Sequence, residues 1–336
     1  MDVFNSNAFS ATTLTGNVQK MDYRPQLLGS LNLFDPVPSR TRDIFVDRRD
    51  GTLSLIPASA SGEPPAQLAG DTRDAVNLRT VRLAKSTSQI NAAELQGIRA
   101  FGSETELMAV ESEFNRRLAR VNEDMELTHE HHRLGALQGK LLDADGSTVL
   151  YNYYTQFNES EASAVSFELD VATTNVRGLC QDITRAMARS ARGSFTPQTQ
   201  VHALAGDDFY DALINHPNVI NTYTNWAAAA DLRQNMAFQA FSFGGITFHN
   251  YRGTDDNSTV AIPTAECKFF PVGARDMFEV AFSPLETLDF VNTPGQRVYA
   301  MTVRDLQRNM WVQGEVYSYP LYLCKQPRVL RKATLT

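Results

Sequence analysis

The chain has 336 residues, 43% hydrophobic, 21% charged and 10% aromatic, with a formal net charge of -7 at pH 7. This composition suits a folded chain and is too apolar for a disordered one, and no apolar run reaches the ~20 residues that a membrane-crossing helix needs. The acidic balance and the absence of a Lys/Arg-rich run argue against a protein built to grip DNA, while Cys180, Cys267 and Cys324, odd in number and far apart, suggest a reducing compartment rather than a disulfide framework or a zinc site.

The first residues have no basic n-region and no apolar h-region, so no secretory signal is expected. Residues 1–39 are rich in Asn, Ser and Thr and are broken by Pro25, Pro36 and Pro38, yet apolar residues are scattered through them. Such a segment buries little against itself. Phe4, Phe9, Leu28, Leu31 and Phe34 are therefore expected to bury against other subunits. Residues 41–90 read as a long hairpin, with strands over 43–46, 52–56 and 76–83 and a Pro/Gly/Ala/Ser-rich tip at 57–71. A ribbon with so few apolar residues is marginal by itself, so Leu53, Leu55, Leu78, Arg79 and Leu83 are expected to contact a neighbouring subunit.

Residues 103–137 carry the strongest helix signal. Ser103 and Glu106 form a capping box, and Leu107, Val110, Phe114, Leu118, Val121 and Met125 step by three and four along one face. At 1.5 Å per residue the helix would span about 50 Å, the proportions of a strut. A strand over 148–157 with a hairpin partner at 140–142 follows. Residues 160–275 read as an α/β unit: helices over 175–192 and 207–214, a strand over 201–204, a hairpin around Gly244-Gly245 and an apolar run at 268–272. Residues 276–336 read as β-rich, with strands over 280–282, 298–301, 310–316 and 321–324.

Catalytic signatures are missing. Residues 135–140 imitate a phosphate-binding loop but are one residue short between the glycines, and Leu141 stands where Ser or Thr would hold magnesium. His129, His131 and His132 could hold a metal with Glu126 or Glu130; the structural reading, histidines on a surface-rich helix end, is preferred. Asp143 and Asp145 beside Gly146 lack the distal ligand of a calcium loop and read as a tight turn. Asp207/Asp208, Asp255/Asp256, Trp226 and Trp311 all have solvated or packing explanations. No catalytic residue, cofactor or metal is expected.

The order of parts is specific: arm, long hairpin, strut helix, α/β unit, β-rich return. The runs LLGSLNLF (27–34), DIFV (43–46), DGTLSLIP (50–57), RLGALQGKLLDADG (133–146), LAGDDFYDALINHPNV (204–219), GITFHNYRG (245–253), FPVG (270–273), FSPL (282–285), VNTPG (291–295) and YPLYLC (319–324) occur in this order over nearly the whole chain. Together they resemble the lambda-like major capsid protein E family of tailed bacteriophages. Tyr319 departs from the family's usual Asn.

The resemblance implies an α+β chain with the HK97-like capsid fold. It implies an N-arm (1–39), an E-loop hairpin (40–90), a peripheral domain (91–159 and 276–320, with the spine helix at about 103–137) and an axial domain (160–275 and 321–336). It further implies self-assembly as hexamers and pentamers into an icosahedral head around packaged double-stranded DNA, contacted weakly and non-specifically. Partners would be copies of itself, a scaffolding protein or protease, a portal and a decoration protein, with no membrane; assembly would be in the host cytoplasm. The acidic charge agrees, because DNA entering a head must slide, and each phosphate contact would add salt-dependent affinity. An encapsulin-like or other non-viral shell protein, or an enzyme with a scattered site, are the alternatives.

Overall fold

The computed structural model describes residues 27–49, 73–91, 106–224, 240–251, 260–308 and 310–336. In chain order the elements are α1 (Leu27–Ser30), β1 (Asp35–Pro38), β2 (Asp43–Arg49), β3 (Arg73–Arg79), β4 (Leu83–Ser86), β5 (Ile90–Asn91), α2 (Glu106–Leu137), β6 (Lys140–Leu142) and β7 (Val149–Asn152). Then come α3 (Tyr153–Gln156), β8 (Val165–Ser166), α4 (Val176–Ser190), β9 (Gln200–Ala205), α5 (Asp207–Asn215), α6 (Pro217–Thr224), β10 (Phe241–Phe243), β11 (Ile246–Asn250) and β12 (Glu266–Val272). The chain closes with β13 (Phe278–Phe282), β14 (Tyr299–Arg304), β15 (Trp311–Ser318), β16 (Pro320–Cys324) and β17 (Arg331–Thr334).

The strut is α2, 32 residues long. Phe114, Leu118, Val121 and Met125 are buried, and they meet Ile90, Val298, Ala300, Val312 and Val316 in one apolar cluster. The opposing surface is the sheet β14-β15-β4, with β5 also paired to β15. Strand β15 alternates half-buried and buried residues along its whole length, the signature of a sheet with one packed face. Gly314 lies on that face. A Cβ there would come within 2.7 Å of Leu118 and 3.1 Å of Phe114, so glycine lets the helix approach the strand. Ser103 and the side chains of Leu107 and Val110 lie outside what the structure describes.

The larger core surrounds a mixed six-stranded sheet, β10-β11-β9-β12-β17-β8. Central β9 is parallel to β11 and antiparallel to β12, and residues 201–205 are all buried, as a strand covered on both faces requires. Helix α4 lays Val176, Cys180, Ile183 and Met187 on this core, and Asn175 caps it by accepting from the Gly178 N–H at 3.0 Å. The same core runs into the three-stranded sheet β1-β13-β16. Its edge strand β1 pairs parallel to β13. The Ser39 N–H donates to the Phe282 carbonyl at 2.8 Å, so residues 35 and 37 point their N–H groups inward. Pro36 and Pro38, which have none, face the open edge, where proline is tolerated.

Two expectations are corrected. The hairpin strand expected over 76–83 stops at Arg79, and β4 joins the sheet over the strut, pairing antiparallel to β15. Leu83 is accordingly half-buried against the strut's own cluster. The strand expected over 148–157 ends at Asn152, whose side chain accepts from the Tyr154 N–H and starts a helical turn, so Tyr153 is buried and donates to the Tyr322 carbonyl. In the C-terminal stretch β16 pairs with β13, and β17, absent from the sequence reading, pairs with β12. The expected strand at 52–56 and the tip at 57–71 lie outside the described residues.

Candidate assembly surfaces

In the second half of α2, Glu126 to Arg133 is buried largely by polar contacts before Leu134, Ala136 and Leu137 join the main apolar core. Glu130 is 1% exposed. Its carboxylate accepts from the Leu28 N–H at 2.8 Å and the Gly29 N–H at 3.2 Å, and pairs with Arg133 at 3.2 Å. Burial raises the Glu130 pKa, against the pull of the Leu28 amide and the Arg133 charge. Arg133 in turn lies over the Tyr322 ring, 5.2 Å from its centre. His129 bridges the Tyr322 hydroxyl at 2.9 Å and Ser318 Oγ at 3.2 Å. Burial drives the His129 pKa well below its ordinary value, and that of His132 down to about 4. The cluster is thus a neutral-histidine core around one buried ion pair. It corrects the expectation of histidines on a surface-rich helix end: His129 and His132 are buried, and His131 bonds the Asp143 carbonyl at 3.0 Å.

This cluster decides where the N-terminal residues belong. Leu28 is fully buried in its own subunit. Phe34 packs on Phe278 and Tyr322, ring centres 5.4 and 5.2 Å away, and Leu31 packs partly buried on the same core. Leu28 therefore has no surface left for another subunit, and Leu31 and Phe34 spend part of theirs at home. The reason is a partner about a hundred residues away, Glu130, which fixes the backbone of this segment. Phe4 and Phe9 lie outside the described residues.

The ribbon β2–β3 has two unlike faces. Ile44 pairs across from Leu78 and Val46 from Val76, and Val46 and Leu78 are buried in the main core. Leu78 is thus corrected from a neighbour contact to a root anchor. On the other face Asp43 pairs with Arg79 and Phe45 with Asn77, all exposed. Phe45 is 73% exposed. Sequence reasoning missed it, although a Phe out of phase with its apolar strand neighbours Ile44 and Val46 was a legible signal. The root is held by hydrogen bonds. The Arg79 N–H donates to Tyr151 Oη at 3.1 Å, and the Tyr151 hydroxyl donates back to the Arg79 carbonyl at 2.9 Å. Ser283 links Thr80 and Thr41 at 3.1 and 2.8 Å, and Arg42 pairs with Glu286. Leu53 and Leu55 lie outside the described residues.

Two more apolar projections were not foreseen. Leu288 and Val291 are exposed on the loop before β14, and Leu306 and Met310 at the turn after it. The other candidates are structural. Asp145 closes its turn by accepting from Ser147 and Thr148, which holds its carboxyl well below the usual range. Lys140 pairs with Glu161 at 2.8 Å. Asp207 and Asp208 lie in the first turn of α5, and Trp311 is half-buried in β15; Trp226, Asp255 and Asp256 lie outside the described residues. All three cysteines are buried, with Cys180 and Cys324 pushed up to about 12 by burial. Among the described residues no group of three or more His, Cys, Asp or Glu could hold a metal ion.

The family model described as phage major capsid protein E matches residues 10–335. The chain is 24% identical to the major capsid protein of Salmonella phage Felix O1 over 352 residues, covering 96% of this chain and 95% of that one. Among solved structures it is similar to a protein identified as a prophage capsid protein in E. coli CFT073, with a TM-score of 0.57, 11% identity and coverage of 97% and 99% of the two chains. It is likewise similar to the mature capsid of bacteriophage PhiM1, with a TM-score of 0.53, 10% identity and coverage of 94% and 88%.

Proposed function

Because the chain belongs to the phage major capsid protein E family, a family of shell proteins rather than enzymes, we propose that its copies assemble as hexamers and pentamers that close the icosahedral phage head. The single observation that carries this reading is the family match across residues 10–335, and the HK97-like capsid fold agrees with it. A non-viral shell or a scattered enzyme site is not favoured.

In this reading the strut and the sheet β14-β15-β4 form the peripheral domain, and the six-stranded sheet with α4 and α5 forms the axial domain near the five- and six-fold centres. The ribbon β2–β3 is the root of the E-loop and carries residues 50–72 toward a neighbouring subunit. The described strands β2 and β3 are seven residues each, a reach of about 23 Å at ~3.3 Å per residue. Phe45 and Arg79 supply contacts at its exposed face, with Phe4, Phe9, Leu53 and Leu55 as further contact residues. Leu31, Phe34 and Leu83 contribute only the surface their own cores leave open. Scaffolding protein or protease, portal and decoration protein are its partners. It is made and assembled in the host cytoplasm. The inner wall meets DNA weakly, in keeping with the chain's charge of -7.

Electron microscopy of the purified, co-expressed protein tests this reading. Closed shells of uniform size are expected. Small soluble particles at every concentration would contradict it.

A further inference from the structure

The loop that precedes β14 is tied down by hydrogen bonds, yet it carries the most exposed large apolar side chain among the described residues, Leu288 at 93%. Phe290 is buried, its ring edge-on to Tyr299 at 5.0 Å. Thr293 Oγ1 donates to the Phe290 carbonyl at 2.7 Å, and the Gln296 N–H to Tyr299 Oη at 2.7 Å. The Gly295 N–H donates to the Ser39 carbonyl at 2.8 Å, and any Cβ at 295 would collide with the Phe282 carbonyl. A loop pinned at this many points holds Leu288 and Val291 outward at fixed positions. The acidic Asp289 lies between them.

The turn after β14 is built in the same manner. The Asp305 carboxylate accepts from the Gln307 and Arg308 N–H groups at 3.0 and 3.2 Å, and the Asp305 N–H closes onto the Trp311 carbonyl at 3.1 Å. This turn presents Leu306, 84% exposed, and Met310, with the exposed cation Arg308 between them. Two fixed projections thus have the same apolar character and opposite charge. Neither Asp289 nor Arg308 has an ion-pair partner among the described residues.

We propose that the Leu288–Val291 loop of one subunit seats on Leu306, Arg308 and Met310 of a second copy, with Asp289 facing Arg308. This rests on the capsid reading, which supplies the second copy. Phe290 packs on Tyr299, the first residue of β14, and the turn follows Arg304, the last, so the six-residue strand, about 17 Å long at ~3.3 Å per residue, lies between the two projections. One subunit cannot join them to each other, so the contact is head-to-tail. Repetition of such a contact builds rings or chains of subunits rather than isolated pairs. The apolar side chains supply the buried area, and the charges set the register and exclude like-with-like pairing.

Cysteine crosslinking in assembled shells reads this contact. The native cysteines are buried, so Leu288→Cys and Leu306→Cys introduce exposed thiols, too far apart in one chain for a disulfide, which needs Cα atoms within about 7 Å. Shells of the double variant, oxidised and run on a non-reducing gel, should give a ladder of covalent multimers, and each single variant should remain monomeric. Dimers from either single variant, or no ladder from the double, overturn the proposal. A charge exchange gives a second readout. Asp289→Arg or Arg308→Asp alone should lower the shell yield by about tenfold or more, and the two together should restore it to within about twofold. Normal yields from both single reversals, or no recovery in the pair, overturn it. Shells absent from the unmodified chain would instead overturn the capsid reading itself.

Discussion

Two stretches of the strut helix are buried in opposite ways. From Phe114 to Met125 the buried contact with the sheet is apolar, with Gly314 allowing close approach and polar contacts of Arg117 and Asp124 at the exposed margin. From His129 to Arg133 the helix is just as buried, but through a carboxylate, a guanidinium and two histidines that hold the backbone of residues 28 and 29 and the Tyr322 side chain. Apolar packing stabilises in proportion to area and tolerates exchange of similar shapes. A buried polar cluster adds less net stability, and losing one member leaves the others unpaired. The first stretch therefore holds the helix under its sheet, and the second specifies which segment docks on it.

The largest effects should come from breaking each stretch once. Glu130→Ala removes the carboxylate that pairs with Arg133 and accepts from two backbone N–H groups, and should cost about 3–5 kcal/mol in denaturant unfolding of the subunit. Phe114→Ala should cost a similar 3–5 kcal/mol through the cavity it opens. The two should differ in hydrogen exchange. Glu130→Ala should speed exchange at Leu28 and Gly29 before global unfolding, and Phe114→Ala should leave those amides protected. Equal behaviour of the two variants would erase the distinction.

Acid should separate the two stretches next. His132 is held at about 4 against an ordinary 6.5, so between those values the unfolded chain binds a proton that the folded chain refuses. Stability from this group is complete above pH 6.5 and is lost as pH falls toward 4, by about 3 kcal/mol. His129 acts in the same direction. Glu130, raised by burial, acts oppositely, its cost growing as pH rises above the ordinary carboxylate range. Unfolding measured from pH 7.5 to 4.5 should show a shallower acid loss for His132→Asn than for the native chain. Identical slopes would contradict a buried neutral His132.

The smallest effect concerns the ribbon root. Tyr151→Phe removes the hydroxyl that both accepts from and donates to Arg79, and should cost about 1 kcal/mol while speeding exchange at the Arg79 amide. Unchanged exchange there would show that the inner-face anchors Val46 and Leu78 hold the root alone.

The apolar stretch of the strut was legible in the sequence because its contacts repeat with the helical period, and the Gly244-Gly245 hairpin because its signal is local. The polar stretch was not. Charged residues next to histidines read as a solvated face when their partners, Leu28, Ser318 and Tyr322, lie about 100 to 190 residues away. The same blindness misassigned Leu28 and Leu78. Local composition showed that their segments could not form a core alone, but not that the rest of the same chain supplies one. Strand β4 was drawn into the hairpin because its pairing partner, β15, lies more than two hundred residues on. Phe45 escaped notice inside an apolar run, where only the strand's alternation reveals which side chain faces out.

A reconstruction of the assembled particle tests the central claim most directly: the cores of this subunit are its own, and its exposed apolar points meet other copies. The account predicts a closed icosahedral shell. In it Leu28 and Leu78 stay in the core of their own chain, Leu28 beside that chain's Glu130, and Phe45, Leu288 and Leu306 are covered by neighbours. A particle in which Leu28 leaves Glu130 for another subunit, or in which Phe45 and Leu288 still face solvent, would contradict it.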